Sequence, residues 1–416
     1  MTVFATLLAP VLPILQQIEA GRKKHHNETF LWIDFVRVLV FYFTKRCGSR
    51  NALVIALENA DPALDLPPVP AMTLSDAFRR FPPSLVRQAL AMLLVSLDLP
   101  ENPELALIGP TCAADGSEFP IVGGVTLPQS GTPATSMKLH LTFNLNRMVT
   151  ADFLVDTLDS SERQAIRAML TAGVTYVLDR GYMAFDLLRD IIAAQAFVVM
   201  RAYNNIVVET VTELPVVLPE SVLTHWTQVR DRIVESAHPD AAGILFRLVE
   251  CTVGATTYRL ITNRTDLTTF QIIILYAYRW QIELIFRFLK HTLQGVEVIT
   301  QSKRGAENFF AVLFLTAILH LALKVDCLEQ GGYLPPNEQT LHSETASTRP
   351  QISADSVRPT AHLAIAVLMA RINDQLALFW KVPKHWLATV AEYLHRPFTP
   401  SVRDIFNKRA LSGCRP

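Results

Sequence analysis

The chain has 416 residues, half of them hydrophobic and 18% charged, and its 38 basic and 38 acidic side chains cancel to a formal charge of zero. Such a chain is globular with a large interior, enough for one large core and one or two smaller units. Zero net charge argues against broad, nonspecific attraction to nucleic acid but leaves room for local basic patches. Cys47, Cys112, Cys251, Cys327 and Cys414 are scattered, odd in number and without paired spacing. They argue against a zinc site or a disulfide framework and fit a reducing, cytoplasmic compartment. The opening MTVFATLLAPVLPILQQIEAGRKK is apolar but lacks a basic leading segment and is interrupted by Pro10 and Pro13. It reads as a core or interface segment, not a signal peptide. No uninterrupted apolar run reaches about 18 residues, and no membrane span is expected.

Residues 1–98 read as a helical domain. Residues 30–43 carry an apolar helical pattern, and 51–58 a shorter one after Gly48. Leu74-Ser75-Asp76 opens a helix through Arg80, Pro82-Pro83 forces a turn, and 84–97 forms the next helix. Helix, turn, helix with Arg79, Arg80 and Arg87 nearby suits a DNA-contacting module, and equally an ordinary bundle with solvated arginines. The run Arg22-Lys23-Lys24-His25-His26 is either a second phosphate contact or plain solvated surface.

From residue 104 the pattern turns to strands. Residues 105–114 are mostly apolar and end in Asp115-Gly116-Ser117, KLHLTFNL at 138–145 alternates with period two, 147–155 is a third strand, and 160–171 is a helix. VTYVL at 174–178 is a buried strand that delivers Asp179-Arg180-Gly181-Tyr182 at its end. Residues 185–194 form a helix, and 197–200 a strand ending at Arg201. Strands followed by helices imply an α/β layer with a mixed sheet. Residues 206–262 are β-rich with Gly, Pro and Asn turns and read as an antiparallel insertion. Residues 307–324 form an apolar helix, 327–360 a linker rich in Pro, Ser and Thr, and 361–416 a C-terminal helical region.

The stretch 276–290, YAYRWQIELIFRFLK, stands apart. Read as one α-helix, Tyr276, Arg279, Glu283 and Lys290 fall within an arc of roughly 60°. Trp280 and Arg287 flank them, and nearly everything else on the wheel is apolar. A helix apolar on its remaining faces is a buried helix, and buried charge is costly unless paired or put to use. One reading is a salt-bridge ladder joining Glu283 to Arg279 and Arg287 at four-residue spacing. The other is a metal-binding carboxylate flanked by cations that hold phosphates.

Asp115 and Asp179 read as residues at strand ends, where active-site groups of α/β sheets gather. With Glu283 they make three carboxylates from separate elements, which cannot easily stay ionised together at one point. A pair of magnesium ions about 4 Å apart resolves that repulsion and serves phosphoryl transfer. Asp115-Gly116 is also a common turn, and Asp179 with Arg180 a plausible local ion pair.

Asp115 in DGS, Asp179 in DRGY, and the spacing of Tyr276, Arg279, Glu283 and Lys290 resemble the DDE transposases of the insertion-sequence-four group. That family carries Tyr, two residues, Arg, three residues, Glu, six residues, Lys, and this chain matches it position for position. The family also has a β-rich insertion before the Glu, and Lys138-Leu139-His140 resembles the strand after its first Asp. The resemblance covers residues 104–326, with Asp152 as the other acid available for the first position. It implies an RNase H-like catalytic core in which Asp115, Asp179 and Glu283 hold two magnesium ions, with manganese as a possible substitute. It further implies that Tyr276, Arg279 and Lys290 grip backbone phosphates, with Arg180 and Arg201 as further contacts and Trp280 packing beside them. Partners would be double-stranded DNA, as transposon ends and target, and a second protomer met through the C-terminal helices. The rivals are a non-transposing nuclease on the same core, a catalytically silent DNA-binding regulator of transposition, and an interaction protein with a buried ion-pair helix.

Overall fold

The computed structural model describes residues 3–97, 99, 101–126, 133–216, 218, 226–253, 256–293 and 297–330. They divide into two compact units. One takes the described residues of 1–99, 291–295 and 308–330, and the other those of 100–290 and 296–307.

The first unit is helical. Helices α1 (Val3–Leu8) and α2 (Leu12–Gly21) place Phe4, Leu7, Val11 and Leu15 in the interior, so the opening segment is core. Helix α3 (Trp32–Lys45) is apolar nearly all round and buries nine of its fourteen residues. Helix α4 (Arg50–Glu58) begins at Ser49, whose hydroxyl accepts the Ala52 N–H at 3.1 Å and caps a free donor. Helices α5 (Ala71–Arg80) and α6 (Pro83–Ser96) flank the Pro82-Pro83 turn. Proline supplies a preset φ and needs no N–H in a first turn, so α6 starts on Pro83.

Several basic residues offered for DNA are held by the fold instead. Arg80 donates to the Phe30 carbonyl at 3.0 Å, pairs with Asp76 at 3.6 Å and covers the Phe81 ring. Arg22 bridges Glu19 at 2.8 Å and Glu28 at 2.5 Å, and Lys24 joins Glu19 at 3.1 Å. Within the basic run, Arg22 is thus taken up in a near-buried ion network, while Lys23, Lys24, His25 and His26 stay exposed.

The second unit is a mixed sheet with helices. After a short helix α7 (Pro103–Ala106) come β1 (Thr111–Thr126), β2 (Pro133–Asn144) and β3 (Val149–Asp156). Helix α8 (Glu162–Ala168), β4 (Thr175–Leu178), helix α9 (Phe185–Ala193) and β5 (Phe197–Arg201) follow. Then come β6 (Glu209–Glu213), β7 (Trp226–Glu235), β8 (Phe246–Val253) and β9 (Thr256–Thr262). Among the described residues they form one nine-stranded sheet in the order β3-β2-β1-β4-β5-β9-β8-β7-β6. The β1–β4 and β4–β5 pairs are parallel and the rest antiparallel. The four strands between 206 and 262 thus lengthen the same sheet through β5–β9. The outermost, β6, is exposed throughout and carries a Glu at each end, which discourages edge pairing with another chain.

Buried arginines tie this extension down. Arg247 meets Asp231 in two bonds of 2.8 and 2.6 Å, both residues nearly solvent-free, and Thr269 donates to the same carboxylate at 2.6 Å. Arg264 reaches from the end of β9 to Thr175 on β4 at 2.6 Å and to the Ile108 carbonyl at 3.1 Å.

Helix α10 (Thr269–Tyr278) starts with a capping box between Thr268 and Gln271, and helix α11 (Trp280–Arg287) follows it. A wider π turn, Phe288–Thr292, closes the segment. Helix α12 (Lys303–Gln330) follows and is longer than its apolar stretch announces. Its Lys303–Leu323 portion is long and apolar enough to cross a membrane, but most of it is buried inside the protein, as for the core helix of a globular unit. Residues 327–330, expected in a linker, continue this helix; the rest of the expected linker and the helical region 361–416 lie outside the described residues.

Candidate active site

Parallel pairing of β1 with β4 ends at Ala113↔Val177. Asp115 and Asp179 each lie two residues beyond that couple, so the register carries them side by side where the strands part. Asp115 differs from expectation in one respect. It is not at a strand end, because β1 runs on to Thr126 against β2, with Asp115 opposite Leu141. The Asp115-Gly116 step is therefore extended strand, not a turn. Asp152 lies on β3, two strands away from the β1–β4 junction.

Asp179 does end its strand. It caps the 3-10 turn Arg180–Tyr182, with Oδ1 accepting the Arg180 N–H at 2.7 Å. The same oxygen accepts the Tyr276 hydroxyl at 3.2 Å. Tyr276 is the third-last residue of α10, so that helix delivers its phenol to the end of β4.

The segment 276–290 is not one regular α-helix. On either side of Arg279 the backbone tightens, the Arg279 N–H bonding to the Tyr276 carbonyl and the Ile282 N–H to the Arg279 carbonyl, three residues apart instead of four. Beyond Arg287 the π turn loosens it again. These adjustments displace side chains from their ideal wheel positions. Lys290, inside the π turn, lands on β1: Nζ donates to Ser117 Oγ at 2.8 Å and sits 4.6 Å from the Phe119 ring centroid. Burial pushes its ammonium below the usual lysine range, which Glu118 partly opposes.

Arg279 is the neighbour the acids share. Only 4% of its side chain is exposed, and it donates to Glu283 Oε1 at 2.6 Å. Burial disfavours its charge, yet Tyr276, Asp179 and Glu283 together hold its pKa above the ordinary guanidinium value. Its charge also reaches Asp115, whose carboxyl burial pushes up to about 6. Glu162 and Glu283 raise that value further, while the Gly116 N–H and Arg279 lower it. The first rung of the salt-bridge ladder therefore exists, but it lies inside an acidic pocket instead of standing alone. Tyr182, buried in the core with Ala114 and Leu178, has its phenol pushed well up by burial and by Asp115, Glu162 and Asp179.

The two outlying arginines are arranged differently. Arg180 is exposed beside Asp179. Arg201, at the end of β5, lays its guanidinium over the Tyr258 ring at 4.8 Å, and Tyr258 lies 6.1 Å from the Tyr276 ring. Arg201 thus borders the site through an aromatic pair.

The donor set suits a hard divalent cation: carboxylate oxygens, no soft ligand, and an Asp115 carboxyl that burial and like charge hold against ionisation. As placed, no three acidic, histidine or cysteine side chains among the described residues converge on one point. Arg279 supplies the positive charge these acids share.

Sequence reasoning passed over Glu162. It opens α8, pairs with Lys138 at 2.9 Å and acts on both Asp115 and Tyr182. Its only sequence signal is an acid in a helix's first turn, which is ordinary for macrodipole reasons.

Comparison with known proteins gives the family. Residues 111–319 match the family described as Transposase DDE domain, a span holding both aspartates, the glutamate and the Tyr-Arg-Glu-Lys series. The chain belongs to that family. It is also 26% identical over 294 residues to the candidate transposase y4zB of Sinorhizobium fredii (strain NBRC 101917 / NGR234), across 68% of this chain and 79% of that one. Among solved structures, a piggyBac transposase synaptic complex with hairpin DNA aligns over 88% of each chain at 10% identity and a TM-score of 0.37. A score that low carries no weight for fold or function.

Proposed function

We propose that this transposase-family chain binds the terminal inverted repeats of a bacterial mobile element and cuts and joins DNA by metal-dependent phosphoryl transfer, as a cut-and-paste transposase of the insertion-sequence-four group. The observation that carries the reading is the meeting of β1, β4 and the 276–290 segment: Asp115 and Asp179 in adjacent register, Tyr276 bonded to Asp179, and Arg279 joining Glu283. The parallel β1–β4–β5 centre flanked by antiparallel β2 and β3 supports an RNase H-like core.

Asp115, Asp179 and Glu283 would hold two magnesium ions, or manganese in their place. When bound, such ions activate the attacking oxygen and stabilise the leaving one. The chain's own groups do the rest. Arg279 shares its charge among the acids until DNA or metal enters. Tyr276 keeps the Asp179 carboxylate turned toward the site. Lys290, half-buried and partly desolvated, is spent on Ser117 in the free protein and becomes a short-range phosphate donor when backbone oxygen displaces the hydroxyl. Arg180 and Arg201 add phosphate contacts at the rim.

Residues 1–98 serve as the end-binding domain and 104–326 as the catalytic domain. The region 361–416 joins two protomers in the synaptic complex, in the bacterial cytoplasm at the nucleoid.

The test is an assay on plasmid DNA in which inverted repeats bracket a marker, with magnesium present. Release of the marker segment and its joining to a second DNA support the reading. Cleavage without joining makes the chain a nuclease, and end binding without cleavage makes it a regulator.

A further inference from the structure

Gly116 sits in extended strand, so its lack of a side chain is not explained by backbone conformation. A Cβ there would stand 3.0 Å from Glu162 Oε1, 3.0 Å from Lys138 Cε and 3.4 Å from His140 Nδ1. Three polar side chains thus crowd the bare strand directly beside Asp115. Glu162 also lies toward the second aspartate's loop, its Oε2 being 4.0 Å from a Cβ built on Gly181. One carboxylate accordingly lies close to the glycine next to Asp115 and to the glycine two residues past Asp179.

Two further observations bear on what Glu162 does there. Its charge pushes on both Asp115 and Tyr182, so it shares the field of the acidic pocket. His140, only 1% exposed, faces the same spot over Gly116. Its Nε2 is engaged with Ser160 Oγ at 2.8 Å, while Nδ1 is buried without a hydrogen-bond partner. A buried, unpartnered ring nitrogen near the Glu162 carboxylate is costly. A water carried by a hydrated cation would satisfy it, whichever tautomer the ring adopts.

We infer that Glu162 is a fourth carboxylate of the divalent-cation site, with Lys138 as its built-in counter-charge in the metal-free protein and His140 as an acceptor or donor for the cation's water. The inference rests on the proposed metal-dependent function. The Lys138–Glu162 bond of 2.9 Å is then a placeholder, as Arg279–Glu283 is on the other side of the aspartates. A cation competes with Lys138 for Glu162, so removing the two partners should have opposite effects. A purely structural ion pair predicts no such opposition, since losing either partner breaks the same bond.

The experiment is calorimetric titration of the full DNA-free chain with manganese chloride, paired with melting curves to confirm folding. Glu162→Gln keeps the size and a hydrogen bond, and should weaken manganese binding about tenfold. Lys138→Met should tighten it about threefold, with Lys138→Gln in reserve should the apolar variant fail to fold. Asp179→Asn serves as the reference for loss of the site. If Asp179→Asn abolishes binding while Glu162→Gln binds like wild type, Glu162 is structural and only this inference falls. The same conclusion follows if the Glu162 and Lys138 variants shift affinity in one direction. If the wild-type chain binds no manganese, the metal reading of the whole site falls with it.

Discussion

Asp115 is an acid that the fold makes hard to ionise. Its carboxyl moves from 3.8 to about 6, chiefly by burial, a difference worth about 3 kcal/mol. Below the lower value the group is neutral in folded and unfolded chains alike and costs nothing. Above the upper value the folded chain carries the full cost, so this group's contribution to stability falls as pH rises through that window. Asp115→Asn should therefore raise the melting temperature of metal-free protein at about pH 7.5 and leave it nearly unchanged at about pH 4. An equal shift at both values would place the strain elsewhere. Glu283 behaves differently, being part-exposed and paired with an arginine that has other acidic neighbours. Glu283→Gln should change stability by less than about 1 kcal/mol while abolishing magnesium-dependent cleavage. Arg279→Met, by contrast, strips the cation the acids share and should cost about 3–5 kcal/mol in chemical denaturation. A Glu283→Gln chain that melts far below wild type and still cuts DNA would return the pair to a structural ladder. Tyr276, Arg279, Glu283 and Lys290 are legible in the sequence because, read as one helix, they line up as a single polar stripe among apolar residues. Glu162 is not, because only the fold carries it from α8 to the bare strand at Gly116.

At the scale of elements, the strands and helices follow from alternation, apolar periodicity and proline placement, and the structure departs from them where long-range contacts decide. The 276–290 segment reads as one helix because its residues all have helical propensity. The tightening at Arg279 and the π turn accompany the bonds those side chains make to Asp179 at the end of β4 and to Ser117 on β1. The ion pair anchoring the β extension is illegible for the same reason: Asp231 and Arg247 lie on different strands, and charges in strand sequences usually face solvent. Asp231→Ala would leave Arg247 buried and unpaired beside the Arg264 and Leu267 carbonyls it also holds. That should cost about 3–5 kcal/mol in urea unfolding. Replacing both partners with apolar residues of similar size should recover much of the loss. A loss under about 1 kcal/mol for the single variant would mean that water reaches Arg247 and the pair is not a lock.

At the scale of the whole molecule, the division into an end-binding domain and a catalytic domain cuts across the packing. The part of α12 from Asn308 on belongs with the N-terminal helices: Phe309 meets Phe43 edge-to-face with ring centroids 4.9 Å apart, and Asn308 donates to the Phe81 carbonyl at 2.9 Å. A fragment beginning at residue 104 would strip Phe309 of its cover by Tyr42 and Phe43 and Asn308 of the Phe78 and Phe81 carbonyls. It should therefore aggregate on size-exclusion chromatography instead of behaving as a soluble catalytic module, and a monodisperse fragment would restore the simpler boundary. End recognition is better tested by surface substitutions in the intact chain. The central claim is that Asp115, Asp179 and Glu283 act together on DNA through divalent metal. The most direct measurement is strand cleavage in magnesium by the wild type, Asp115→Asn, Asp179→Asn and Glu283→Gln, each on DNA carrying the element's ends and each checked for end binding by gel shift. The account predicts that all three variants bind the ends and none cuts them. A variant among the three that binds and cuts like wild type would contradict it.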